Sequence, residues 1–203
     1  MIAIIDYGAG NLRSVAQAIA SVGYQASFTT MPEDIMNAEA VILPGVGAAG
    51  TMMASLKKLN LVAPIQQVIA NDRPFFGVCL GLQVLLSATE EGGLQKCLDI
   101  IPGTARKLPT TLKVPHMGWN QVQQRMQHPI FEGIPNSANF YFAHSYYAVP
   151  EDSSIVAAKT EYGVRFCSMI LRGNLMATQF HPEKSGEPGL RIYRNFLKTC
   201  LEK

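Results

Sequence analysis

The sequence has little charge of either sign to spare. Its 17 Lys and Arg stand against 15 Asp and Glu, a formal net charge of +2. No Lys/Arg cluster is long enough to follow a phosphate backbone, which excludes nucleic acid as an expected partner. No apolar run reaches the length of a membrane span. The start, "MIAIIDYGAGN", meets a charge at Asp6 and lacks the basic opening and long apolar core of a signal peptide. The expectation is a soluble, cytoplasmic protein with no membrane partner. The four cysteines, Cys79, Cys97, Cys167 and Cys200, show no C-x-x-C spacing, which argues against a zinc site and leaves mostly free thiols in a reducing compartment. No metal and no cofactor is expected. Repeats, low-complexity tracts and linkers are absent too, so residues 1–203 are expected to form one domain.

What is present is an ordinary globular composition, 48% apolar and 16% charged. Short apolar runs alternate with helical patterns through the first half. "IAIID" (2–6), "QASFTT" (25–30), "AVILPG" (40–45) and "RPFFGVC" (73–79) read as strands, "NLRSVAQAIASVG" (11–23) and "LVAPIQQVIAND" (61–72) as helices. Continuous apolar strands between helices predict an α/β fold, a mostly parallel sheet covered on both faces. Further on, "RFCSMILRG" and "NLMATQFHPE" are joined by Gly173-Asn174, which predicts a hairpin and an antiparallel extension of that sheet. "SGEPGLRIYRNFLKTCL" predicts a closing amphipathic helix with Pro188 near its start.

Three stretches carry chemistry. "FFGVCLGLQ" (75–83) runs a buried strand into an apolar helical pattern through Gly77-Val78-Cys79-Leu80-Gly81, the shape of a nucleophile elbow. Such a turn exposes the sulfur at the carboxyl end of the sheet, and following helical amides favour a thiolate. The same residues also fit a buried structural cysteine. "TQFHPEKSG" (178–186) places His181 and Glu183 two apart, on one side of an extended segment, where Glu183 can hold one imidazole nitrogen while the other faces a thiol. "LPGVGAAG" (43–50) follows a strand with a glycine-rich loop. It could cradle a phosphate, although it lacks the Lys-Ser/Thr ending of a P-loop. It could equally supply an oxyanion hole, with Gly45 and Gly47 freeing a peptide beside Val46 and the Leu80 N–H giving the second donor.

"PGVG", "GVCLGLQ" and "HPEKS" in this order resemble the class I glutamine amidotransferase family. "DYGAGNLRSV", "PHMGWN" and "YFAHSYY" narrow the resemblance to the branch formed by glutaminase subunits of imidazole glycerol phosphate synthases. The resemblance implies a flavodoxin-like sheet and a Cys79–His181–Glu183 triad that hydrolyses L-glutamine to glutamate and ammonia through a glutamyl thioester. It implies that Gly47, Gln83, Glu91, Ser145 and Tyr146 line the glutamine pocket, with Glu91 meeting the ammonium. It also implies a heterodimer with a separate (β/α)8-barrel cyclase subunit, contacted or gated by Asn11, Trp119, Tyr141 and Lys184, that receives the ammonia. Two alternatives remain at this point: the glutaminase of another synthase, and a catalytically silent module that only binds a cyclase. Of the other histidines, His128 is expected to face solvent, and His116 and His144 to be satisfied structural groups. Cys97, Cys167 and Cys200 are expected to pack.

Overall fold

The structure, a computed structural model, describes residues 1–201. In chain order it runs β1 (Ile2–Ile5), α1 (Leu12–Ser21), β2 (Ala26–Thr29), α2 (Pro32–Asn37), β3 (Ala40–Gly45), α3 (Ala49–Lys58), α4 (Val62–Ala70) and β4 (Phe75–Cys79). There follow α5 (Leu80–Gln83), β5 (Leu86–Thr89), β6 (Gln95–Lys96), β7 (Ile101–Lys107), β8 (His116–Gln124), β9 (Ala138–His144) and β10 (Tyr146–Pro150). The chain closes with β11 (Val156–Glu161), β12 (Arg165–Arg172), β13 (Leu175–Thr178) and α6 (Gly186–Leu201).

Strands β2-β1-β3-β4-β13 lie side by side and parallel. Beyond β13 the sheet turns antiparallel through β12, β10 and β7, and the β8–β9 ribbon joins it through β11. The parallel strands are apolar on both faces because both are covered. Ala3 and Ile5 of β1 face one core with Ile35, Leu56 and Val68 of α2, α3 and α4. Ile2 and Ile4 face the other, with Val15 and Ile19 of α1 and Phe196 and Leu197 of α6. This is the period-two alternation of a strand. The β12–β13 hairpin forms as the Gly173-Asn174 signal predicts, with Gly173 at φ +57°.

One expectation is corrected here. The apolar pattern after Cys79 is not a long helix. α5 is a single turn, and the chain re-enters the sheet at β5. Leu80 to Leu86 is buried throughout, so no solvent-facing stripe exists to sustain a surface helix, and an all-apolar run fits a strand as well. A full helix macrodipole at the sulfur is therefore not available, only the unpaired amides of one turn.

Glycines let that turn sit where it does. A Cβ on Gly81 would lie 2.1 Å from the Leu43 carbonyl oxygen, and one on Gly77 2.9 Å from the Gly81 carbonyl oxygen. Both obstacles are backbone. Gly81→Ala is expected to cost about 3 kcal/mol or more of folding stability, the upper range of overpacking, read as a lower urea midpoint. Wild-type stability of that variant would show that the turn does not press on β3.

Candidate active site

Cys79 ends β4 with φ +55° and ψ −104°, a conformation that non-glycine residues rarely hold. The elbow expected from the sequence is there. In the register of the parallel sheet Gly45 pairs with Cys79 on one side, and Val78 with Thr178 on the other. The glycine loop and the His181 segment thus emerge beside the sulfur because their strands flank β4.

His181 Nδ1 lies 2.8 Å from Glu183 Oε1, and both side chains are almost fully buried. Its ring also reaches the Cys79 sulfur. Burial opposes a proton on this imidazole. The Cys79 sulfur and then the Glu183 carboxylate outweigh burial and hold His181 above its ordinary value. The pairing was expected, but its geometric reason was not. Pro182–Lys184 is a 3-10 turn rather than extended chain, and the turn folds Glu183 back onto Nδ1.

The sulfur opens into a cleft of about 250 Å³ lined among others by Gly47, Gln83, Glu91, Ser145, Tyr146 and Lys184. All five residues expected in the glutamine pocket are thus brought to it. Glu91 also accepts the Ala49 N–H at 2.6 Å, placing a carboxylate on the first amide of α3. Gln83 is buried, not the surface residue its position alone suggests. Its amide nitrogen donates to the Tyr146 carbonyl at 2.8 Å and to Gln179 Oε1 at 3.1 Å.

The loop Gly45-Val46-Gly47 borders the same cleft, Gly47 at φ +90°. The Val46 N–H donates to the Tyr7 hydroxyl at 3.2 Å, and that hydroxyl reaches the Val46 carbonyl at 3.4 Å. One hydroxyl therefore engages both polar groups of Val46. Leu80 opens α5, so its N–H belongs to the unpaired first turn.

Three of the four expected partner-contact residues form one strip. Trp119 is 59% exposed, its ring 6.2 Å from Tyr141 edge to face, and Lys184 Nζ stands 5.7 Å above the Tyr141 ring. Lys184 carries the strip into the cleft. Asn11 is not tied to it by any of these contacts. It precedes α1 and accepts from Ser14 at 2.7 Å.

The other three histidines and two of the other cysteines have defined surroundings. Asn120 Nδ2 donates to the Glu161 carbonyl and lies 3.3 Å from His116 Nε2. His116 Nδ1 lies 2.9 Å from His144 Nε2, and His144 Nδ1 2.9 Å from the Tyr146 carbonyl. A carbonyl only accepts, so His144 carries its proton on Nδ1, His116 donates through Nδ1, and its Nε2 accepts from Asn120. Both rings are neutral and satisfied, as expected. His128 is half-buried rather than solvent-facing, its Nδ1 accepting the Ile130 N–H. Burial pushes the Cys97 thiol up to about 11 and Cys167 to about 12, leaving both protonated and inert. Among the described residues no group of three His, Cys, Asp or Glu side chains could hold a metal, and no helix is long and apolar enough to cross a membrane.

Tyr7 and Gln179 are among the residues of the site that went unnamed in the sequence reading. The Gln179 amide nitrogen lies 3.6 Å from the Cys79 sulfur. Its signal was the two-residue spacing to His181, which puts both on one side of the chain.

The family model for Glutamine amidotransferase class-I matches residues 3–200. The chain belongs to the class I glutamine amidotransferase family. It is 55% identical over 201 residues to the "Imidazole glycerol phosphate synthase subunit HisH" of Dehalococcoides mccartyi, covering 99% of this chain and 98% of that protein. It is 52% identical over 202 residues to the protein of the same name from Chloroflexus aurantiacus, covering 98% and 95%. Among solved structures, a chain in the structure of PurLQS from Thermotoga maritima matches with a TM-score of 0.78 at 17% identity, over 98% of this chain and 97% of that one. The glutaminase domain of Trypanosoma brucei CTPS with bound acivicin matches with a TM-score of 0.71 at 16% identity, over 100% and 94%. At these identities the two structures speak for the amidotransferase fold alone.

His116 and His144 predict an acid-labile core for this amidotransferase. Burial lowers His116 to about 4 and His144 to about 3. Folded-state values below the unfolded value mean that the unfolded chain binds more protons, so stability is lost as pH falls from 6.5 towards 4. His181, held up at about 10, adds a slope of the opposite sign near pH 6.5, where the unfolded ring is gaining its proton, and none below about pH 5. The unfolding free energy from urea titration is expected to fall from pH 7 to pH 5, by up to roughly 1.4 kcal/mol per pH unit for each ring, and the urea midpoint with it. A flat midpoint would mean that the rings are charged when folded.

Proposed function

We propose that the chain is the glutaminase subunit of an imidazole glycerol phosphate synthase, acting as one domain over its length. The carrying observation is the coincidence of the Cys79–His181–Glu183 geometry with end-to-end identity above 50% to proteins named for that subunit. L-Glutamine binds in the cleft, its ammonium on Glu91 and its carboxylate near the Ser145 and Tyr146 backbone. The Cys79 sulfur attacks the side-chain carbonyl carbon. The oxyanion meets the Leu80 N–H and an N–H of the Gly45-Val46-Gly47 loop. His181 passes its proton to the leaving nitrogen, and ammonia departs from a thioester. Water then gives a proton to His181 as it attacks, glutamate leaves, and the sulfur regains its electron pair. Glu183 holds the imidazole through both transfers.

Ammonia released here is consumed by a partner. We assign the cyclase, a (β/α)8-barrel subunit in a heterodimer, to the strip of Trp119, Tyr141 and Lys184. It supports this assignment that a solvated Trp in contact with a Tyr is a typical interface anchor and that Lys184 leads from there into the cleft. The cyclase uses the ammonia to make imidazole glycerol phosphate and aminoimidazole carboxamide ribonucleotide, a step of histidine biosynthesis.

Cys79→Ala in the reconstituted complex is expected to abolish synthesis from glutamine while sparing synthesis from added ammonium salt. Retained use of glutamine would contradict the proposal, and no synthesis by wild type from either source would point to another acceptor.

The oxyanion loop rests with its Val46 N–H on Tyr7. We read this as a brake, since a donor engaged elsewhere cannot meet the oxyanion, and partner ligand favours its release. Tyr7→Phe is expected to raise glutamate release by the isolated chain on the order of tenfold, one hydrogen bond's worth. An unchanged basal rate would leave Tyr7 a packing residue.

A further inference from the structure

We propose that Gln179 is a catalytic residue, its side-chain amide donating a hydrogen bond that holds the Cys79 sulfur as the thiolate. The role rests on the glutaminase reading for its purpose, though not for its test. Gln179 is fully buried and sits between the end of β13 and His181. Its Nε2 is 3.6 Å from Cys79 Sγ, within the longer reach of hydrogen bonds to sulfur.

Which end of the amide faces the sulfur is settled by its neighbours. Gln83 meets the Tyr146 carbonyl and Gln179 through the same terminal atom. The carbonyl only accepts, so that atom of Gln83 is the NH2. The NH2 in turn requires an oxygen on Gln179. The NH2 of Gln179 is thereby left at the sulfur. Turning Gln179 over would set two donors against each other and a carbonyl oxygen against the thiolate, so the web fixes the orientation.

The sulfur has few other polar neighbours. The Ala143 carbonyl at 3.8 Å can accept from a thiol but offers nothing to a thiolate. His181 is the cationic partner, and Gln179 supplies a second, neutral donor from the side. In the second half of the reaction, water bonds to the carbonyl carbon and yields its proton to His181. The C–S bond breaks with its electrons on sulfur, and the Gln179 N–H faces that sulfur as it leaves. The other titratable or charged groups nearby are Tyr7 from the β1 loop, Glu183 and His144 behind His181, and Glu91 and Lys184 across the cleft.

The test is alkylation of Cys79 by iodoacetamide in the full chain, followed on the Cys79 peptide by mass spectrometry at about pH 7 and about pH 10. This reads the sulfur directly, while glutamate release separately tests the glutaminase reading. Gln179→Met keeps the length and removes the donor. It is expected to alkylate about tenfold more slowly at the lower pH and at the wild-type rate at the higher pH. Gln179→Glu keeps an oxygen for Gln83 and sets another against the sulfur. It should be slower still at the lower pH, and it serves if the methionine variant does not fold. Equal rates at the lower pH, or the same slowing at both, would overturn the proposal, the second pattern being what lost packing alone would give.

Discussion

The absence of a side chain at Gly81 is the constraint on which the site depends. Its α-carbon faces the Leu43 carbonyl so closely that no Cβ fits. That contact presses the first turn of α5 onto β3 and turns Cys79 to φ +55°. Gly77 and Gly45 allow the same close approach from two further sides. The parallel register does the rest, because the strands on either side of β4 end where the sulfur emerges. One delivers the Gly45-Val46-Gly47 loop and the other Gln179 and His181.

Around this backbone lies a polar web that is buried and ordered by donor–acceptor logic rather than by charge. The Tyr146 carbonyl is its hub, accepting from Gln83 and from His144. On one side the web runs through Gln83 and Gln179 to the sulfur, on the other through His144 and His116 to Asn120. A buried network of this kind is costly when half-satisfied and rigid when complete. Each member here has a partner whose role is fixed by the next, so the cleft is held in shape before any ligand enters. The Gly45-Val46-Gly47 loop, by contrast, is engaged at Val46 by a single hydroxyl, that of Tyr7.

Much of this could be read in advance from pattern. The alternation of β1, the glycines about Cys79 and the Gly173-Asn174 turn follow from geometry that short sequence windows carry. Other features depend on distant contacts. α5 stops after one turn because Leu80 to Leu86 is enclosed on every side, which no local pattern reveals. The 3-10 turn at Pro182–Lys184 brings Glu183 to His181 by a route that spacing alone misassigned. β8 and β11, with mixed polar composition, pair with each other across the intervening β9 and β10. Gln179 looked like one more strand residue until Gln83, distant in sequence, fixed which end of its amide meets the sulfur.

The central claim is that the elbow makes Cys79 the one nucleophile that a glutamine side chain meets. It is tested most directly by incubating the chain with a chloroketone analogue of glutamine and mapping the adduct by mass spectrometry, with and without excess glutamine. The account expects a single adduct, on Cys79, whose formation glutamine slows. An adduct on Cys97, Cys167 or Cys200, or labelling of Cys79 that glutamine leaves unaffected, would contradict it.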